Sequence, residues 1–287
     1  MKFFNRVNSF TSIFFLFSLI LNAQQEEKKI IKILQAGSSS QNELKFPGAN
    51  ILTKIANTRV HLFHEGALIK SDISYFYPKK NFFTAKGKVI FTQGDSLKMT
   101  CDYIEYDGEK KIAFARGNVF LERPDMTLNT DSLELDRLKS KAYYQTGGVI
   151  RDENTKLTSK TGVYFIDEKK YRFIDKVNIY DTEYTMQSKE LDYFTELNKA
   201  FFKGKTKIIG QDYTVLCEKG NYNTKLQKGS FQKNAIIFYD NKEIEGDSLF
   251  FEKERNYASA TNNVKITDTL NKSIINGHFG EIFKSKD

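Results

Sequence analysis

Histidine, proline and cysteine are scarce in this chain, and each scarcity removes a class of function. There are three histidines, three prolines and two cysteines in 287 residues. No CxxC pair, Gly-rich phosphate loop or nucleophile elbow occurs, so redox, nucleotide and triad-hydrolase chemistry lack their usual carriers. His61 and His64 sit three apart on one strand pattern, and His278 is remote from both. The first two read as exposed strand histidines rather than metal ligands. Acid pairs such as Asp102/Glu105 and Asp131/Glu134 recur at fixed intervals, which suits a solvated outer face better than an active site. Calcium-ladder aspartates would need a nonapeptide spacing that is absent. The expectation is a protein that is not an enzyme, without catalytic residues, metal or cofactor.

Long apolar runs are also missing after the first 23 residues. Those 23 read as a cleaved export signal: Lys2 and Arg6 lead, Phe10–Leu21 is mostly apolar, and Ala23 precedes "QQEEKK". The run is too short to span a bilayer. The expected product is therefore an exported protein, soluble or peripheral to the inner or outer membrane. Without residues 1–23 the formal charge falls from +8 to +6, a modest excess that favours an anionic partner. There is no basic stripe with interleaved exposed aromatics, and export argues against nucleic acid. Cys101 and Cys217 occupy the same place in a repeat, four repeats apart. At ~4.8 Å per strand they lie roughly 19 Å or more apart, beyond disulfide reach.

What the chain has in abundance is a repeat. Ser71, Cys101, Thr130, Ser159, Ser188, Cys217, Gly246 and Gly277 follow one another at steps of 29 to 31 residues. Two residues before each stands an apolar side chain: Ile69, Met99, Leu128, Leu157, Met186, Val215, Ile244, Ile275. Five residues after each stands a large one: Phe76, Tyr106, Leu135, Tyr164, Tyr193, Tyr222, Phe251, Ile282. A second ladder lies between, at Val60, Val89, Val119, Val149, Val177, Thr206, Ala235 and Val264. Two ladders of one period imply a stacked array rather than a single-core globule.

The arms are rich in Tyr, Phe, Ile, Val and Thr, alternate with period 2, and meet at polar turns such as Asp107-Gly108, so they are strands. Gly and Asn recur just before the second ladder, as in Gly117-Asn118 and Asn262-Asn263, supplying bulge conformations. Parity adds a constraint. Met99 and Tyr106 are seven apart and would point to opposite faces of a straight strand, so the strand must bend or bulge between them to bury both. The expected architecture is all-β: an elongated antiparallel folded sheet of about eight repeats of ~29 residues with an apolar concave interior. Residues 24–50 supply a first strand and capping loop, and 51–287 the repeats. The sheet has two ends, and an uncovered strand edge invites strand addition by a partner or another copy.

The unit "CDYIEYDGEKKIAFARGNVF", residues 101–120, resembles the OstA-like repeat (organic solvent tolerance protein A-like). That family includes periplasmic lipopolysaccharide-transport proteins, and the resemblance covers roughly Ile30 to Phe283. It implies an antiparallel β-jellyroll whose interior holds lipopolysaccharide acyl chains and which joins other OstA-like domains edge to edge. Met99, Tyr106, Leu128, Leu135, Leu157, Tyr164, Met186, Tyr193, Val215, Tyr222 and Ile244 would line that interior. Basic residues in turns and at alternate strand positions, Lys110, Lys111, Arg137, Lys139, Lys169, Lys170, Lys203, Lys205 and Lys207, read either as a solvated surface or as a rim suited to lipid phosphates. The chain is longer than the short carriers of the family, lacks a C-terminal barrel, and has Gly162, Gly220 and Gly280 where the unit has an apolar residue. Two other readings stay open. One is a closed β-solenoid serving as a structural or adhesion module with a dry core; the other is a polysaccharide-acting enzyme, which would need clustered acids.

Overall fold

A computed structural model describes residues 29–284; the expected export signal, residues 1–23, lies outside the described residues. The chain forms one 24-stranded sheet in which every pairing is antiparallel. Among the described residues a single 3-10 turn, Pro78–Lys80, interrupts the strands. The longest strands have 11 or 12 residues, as in Leu97–Asp107, Ile112–Arg123 and Lys199–Gly210.

Each long strand breaks register near its middle, between Lys86 and Val89, Thr100 and Tyr103, Lys203 and Thr206, Thr261 and Val264. Left-handed backbone at Gly87-Lys88, Gly117-Asn118, Asp175-Lys176 and Asn262-Asn263 makes the break. These are the bulges that parity required, and they restore a common facing to both arms. Aligned from strand to strand, they form one corner line along which the sheet folds into two walls.

The first wall carries an unbroken inward row. It runs from Leu62 through Ile69, Phe91, Met99, Leu121, Leu128, Ile150, Leu157, Ile179 and Met186 to Ile208, Val215, Ile237, Ile244 and Ile266. On the second wall large and small residues alternate: Tyr106, Ala113, Leu135, Ala142, then Ala200, Tyr222, Gly229, Phe251, Ala258. The walls close on each other by interdigitating rings. Tyr213 of the first meets Phe251 of the second at 4.4 Å between centroids, and Tyr184 meets Tyr222 edge-on at 5.5 Å.

The small residues at the corner do more than save space. The corner hydroxyls also donate to backbone carbonyls along the fold line. Thr130 reaches Gly147 O at 2.7 Å, Ser159 reaches Thr161 O at 3.0 Å and Ser188 reaches Glu190 O at 3.0 Å. Cys101 and Cys217 take the same place, unbridged and buried; burial pushes each thiol up to about 12.

Two sequence expectations are corrected. The second ladder does not pass through Val149: the register pairs Thr130 and Ser159 with Gly148, leaving Val149 opposite Asn129 and Thr158. The strand is broken here into Lys141–Tyr144 and Gly148–Arg151, which shifts the pattern by one residue. His64 is not an exposed strand histidine but 1% exposed. It ends its strand beneath Lys29, whose carbonyl lies 3.0 Å from Nε2, and Nδ1 lies 2.8 Å from the Tyr106 hydroxyl.

Candidate functional site: an apolar interior with a parted seam

The free margins of the walls are two rows of turns that face each other along a seam. Turns of the first wall carry acids: Glu65, Asp125, Asp152, Glu153, Asp181, Glu183, Asp212. Turns of the second carry bases: Lys110, Lys111, Arg137, Lys139, Lys169, Lys253, Lys284. The basic rim expected from sequence is therefore half of the arrangement, and the opposite margin is acidic.

The two margins meet at both ends of the molecule. At one end Glu65 takes Lys111 at 3.0 Å and Arg137 at 3.7 Å, while Arg137 also donates to the Tyr106 hydroxyl at 3.0 Å. Burial opposes ionisation of Glu65, but the Lys111 hydrogen bond and the surrounding charges outweigh it and hold the carboxyl below its usual range. At the other end Glu183 takes Lys253 at 3.0 Å and Asp212 takes Lys284 at 3.1 Å. Between these clasps the bases turn to their own margin, Lys169 to Glu196 and Lys170 to Glu168. Cross-seam polar contacts in this stretch include Arg123, whose guanidinium lies 5.5 Å from the Tyr164 ring, and a hydrogen bond between Tyr184 and Thr224 at the mouth.

Beneath the parted stretch the interior is hollow. An apolar cavity of about 70 Å³ is lined by Met99, Leu128, Leu135, Ala142, Tyr164 and Tyr171 among others. It shares Met126, Ile150, Tyr171 and Phe173 with an adjoining mouth of about 650 Å³, also lined by Leu157, Tyr193 and the turn residues Asp152, Asp181 and Lys225. The packing has a visible cause. Where the second wall elsewhere returns to Ala or Gly, it places Tyr171 between Tyr164 and Tyr193. Tyr164 and Tyr171 stack at 4.3 Å, and three successive large rings leave no small residue for the opposite wall to enter. Tyr144 meanwhile lies over Gly148 and Gly162, whose missing Cβ atoms would fall 2.4 and 2.3 Å from its ring.

Of the interior residues named from sequence, Met99, Leu128, Leu135 and Tyr164 line the cavity, and Leu157 and Tyr193 line the mouth. Tyr106, Met186, Val215, Tyr222 and Ile244 are packed away from it, each no more than 1% exposed. Sequence reasoning did not single out Ala142, Ile150 and Tyr171; the Tyr at 171 in an Ala/Gly series was the available signal. His61 and His64 do not form a metal site, and no cluster of metal-ligating side chains occurs among the described residues.

Fold and interior together define an all-β folded-sheet protein with an apolar core that is closed at its ends and hollow in the middle. The OstA-like protein family model matches residues 28–189, over half of the chain, and the chain belongs to that family. Among solved structures it is similar to LptH, described as the LptA-homologous periplasmic component of the lipopolysaccharide transport device from Pseudomonas aeruginosa. Identity there is 18%, with 45% of this chain and 76% of that chain covered, at a TM-score of 0.22. No curated protein matches.

Proposed function

We propose that this OstA-like protein is exported to the periplasm through residues 1–23 and holds acyl chains of lipopolysaccharide or a similar anionic lipid, helping deliver it to the outer membrane. The observation that supports this most is the largely apolar hollow beneath the parted seam, next to a mouth with polar turn residues at its edge. Each buried CH₂ contributes about 0.8 kcal/mol, so a few chain segments give useful affinity without covalent chemistry. A hollow of about 70 Å³ takes only the end of one chain, so uptake widens the seam where no ion pair holds it. The basic margin then faces the lipid phosphates.

Residues 51–287 act as one carrier domain, with 24–50 adding the first strands. Strand addition suits both ends. The last strand, Ser273–Phe283, pairs on one side only and leaves Ile275 62% exposed where the inward row runs out. Other OstA-like domains are the partners this edge fits.

The test is mass spectrometry of lipid extracted from the protein purified out of the periplasm of a lipopolysaccharide-producing host. A stoichiometric lipid A species that is lost in Leu135→Asp, with the β-sheet signal kept, supports the reading. Folded protein that carries no lipid and takes up none on addition overturns it in favour of a closed structural solenoid.

A further inference from the structure

The corner line has a charge pattern that the interior does not explain. At five of the eight corners the residue after the small one is an acid, and at three of these it accepts a hydrogen bond from a bulge asparagine sixteen residues on. Asn118 donates to Asp102 at 2.7 Å, Asn234 to Glu218 at 3.1 Å and Asn263 to Asp247 at 3.0 Å. The bulge of the next strand approaches this residue closely: a Cβ on Gly117 would lie 2.7 Å from Asp102 Oδ2.

At two neighbouring corners both members are lysine. Lys189 stands where the acid belongs, against Gly204 and Lys205, with its Cβ 3.2 Å from the position a Gly204 Cβ would take. Lys160 faces Asp175 and Lys176 in the same way, its amide donating to Asp175 O at 2.9 Å. The acid–amide bond made at Asp102, Glu218 and Asp247 is thus missing at both corners; Asp175 adjoins the lysines of the first, while at the second Lys189 and Lys205 set like charges together, which is unfavourable for the sheet itself. Lys160, Lys176, Lys189 and Lys205 are exposed and, among the described residues, make no ion pair, unlike the clasp lysines. With Lys207, three of them line an outer groove of about 720 Å³; its one carboxylate, Glu218, is already held by Asn234.

The same outer face of the first wall presents apolar side chains. The register runs Tyr180, Thr185, Ile209, Thr214, Phe238, and Tyr180, Ile209 and Phe238 are exposed. Ile209 lies two residues from Lys207 and on the same face. Lysines beside exposed aromatic and aliphatic side chains match the chemistry of an anionic bilayer surface, where ammonium groups meet phosphates and the apolar side chains sit at headgroup depth.

We propose that the lysine corner at Lys160, Lys176, Lys189 and Lys205, with the Tyr180–Ile209–Phe238 row, is the surface by which this protein lies on an anionic phospholipid membrane. The site is on the outside of the fold, separate from the hollow, and an empty protein docks as well as a loaded one.

The test is flotation of the protein, purified from the periplasm, with phosphatidylcholine vesicles containing or lacking phosphatidylglycerol. Binding should require the anionic lipid and weaken as salt is raised. The decisive variant, Lys160→Asp/Lys176→Asn/Lys189→Asp/Lys205→Asn, rebuilds the Asp–Asn corner used elsewhere. It should unfold at the same or higher urea concentration while vesicle binding falls by more than about tenfold. A charge-matched control, Lys32→Asp/Lys45→Asn/Lys79→Asp/Lys80→Asn, should bind within about twofold of the parent, since only nearby charges act strongly. Equal losses in both variants, undiminished binding by the corner variant, or equal binding to neutral vesicles would overturn the proposal. So would retention on a soluble anionic polysaccharide without vesicle binding. Lipid content of the hollow, measured on the same preparations, reports separately on the carrier reading.

Discussion

The middle and the C-terminal end of the interior are built from one repeat yet packed to opposite degrees. At the C-terminal end Tyr222, Phe231 and Phe251 are fully buried, with Ala200, Gly229 and Ala258 giving the rings room. In the middle Tyr164, Tyr171 and Tyr193 follow one another without a small residue, and the walls stay apart. The margins repeat the contrast, since the end turns are joined by Glu183–Lys253 and Asp212–Lys284 while the middle bases pair within their own margin. Periodicity therefore sets the sheet, and the sizes of a few side chains within the period set where it can hold something.

The contrast breaks most sharply on a buried charge. Val215→Asp, at a fully buried position, should leave no folded protein by circular dichroism, because an unpaired carboxylate there costs more than the stability of the domain can absorb. Leu135→Asp should stay folded; if both unfold alike, the middle is no more open than the end. Truncation follows in size. Phe231→Ala should cost about 3–5 kcal/mol in urea unfolding, and Leu135→Ala less than about 2 kcal/mol, since it enlarges a hollow already present.

The clasp comes next. Glu65→Gln should cost about 1–2 kcal/mol, reduced by partial solvent access. Because the folded carboxyl sits below its ordinary 4.5, its contribution is complete above that pH and fades as pH falls through the folded value. Stability of the Gln variant should accordingly depend less on pH below 4.5, and parallel curves for both proteins would remove Glu65 from the clasp. The smallest change expected is from Ala142→Leu, which fills the hollow. Stability should move by less than about 1.5 kcal/mol while bound lipid drops, and unchanged lipid content would place the lipid elsewhere.

Much of the sheet was legible in the sequence. The odd spacing of Met99 and Tyr106 demanded a bend, and Gly117-Asn118 and its counterparts marked where it falls. The misplacement of Val149 came from a loop, Gln145–Gly147, that advances the register by one residue, a shift that apolar spacing alone does not reveal. His64 was misread because its burial depends on Lys29 and Tyr106, distant in sequence and brought over it by the fold. Six of the interior positions named in advance lie on the cavity or its mouth. The others meet partners across the walls, and which residues face each other there depends on the twist of the sheet, not on the repeat. The corner hydroxyls were read as merely small, since the bends that bring carbonyls such as Gly147 O within their reach form only in the folded sheet.

The most direct test of the central claim is photo-cross-linking to lipopolysaccharide in living cells, with p-benzoylphenylalanine placed in turn at Leu135, Tyr164, Tyr106 and Tyr222. Adducts at Leu135 and Tyr164, with none at Tyr106 and Tyr222, are the expected result. Adducts of equal yield at all four positions, or at the end positions alone, would contradict a lipid site in the hollow middle.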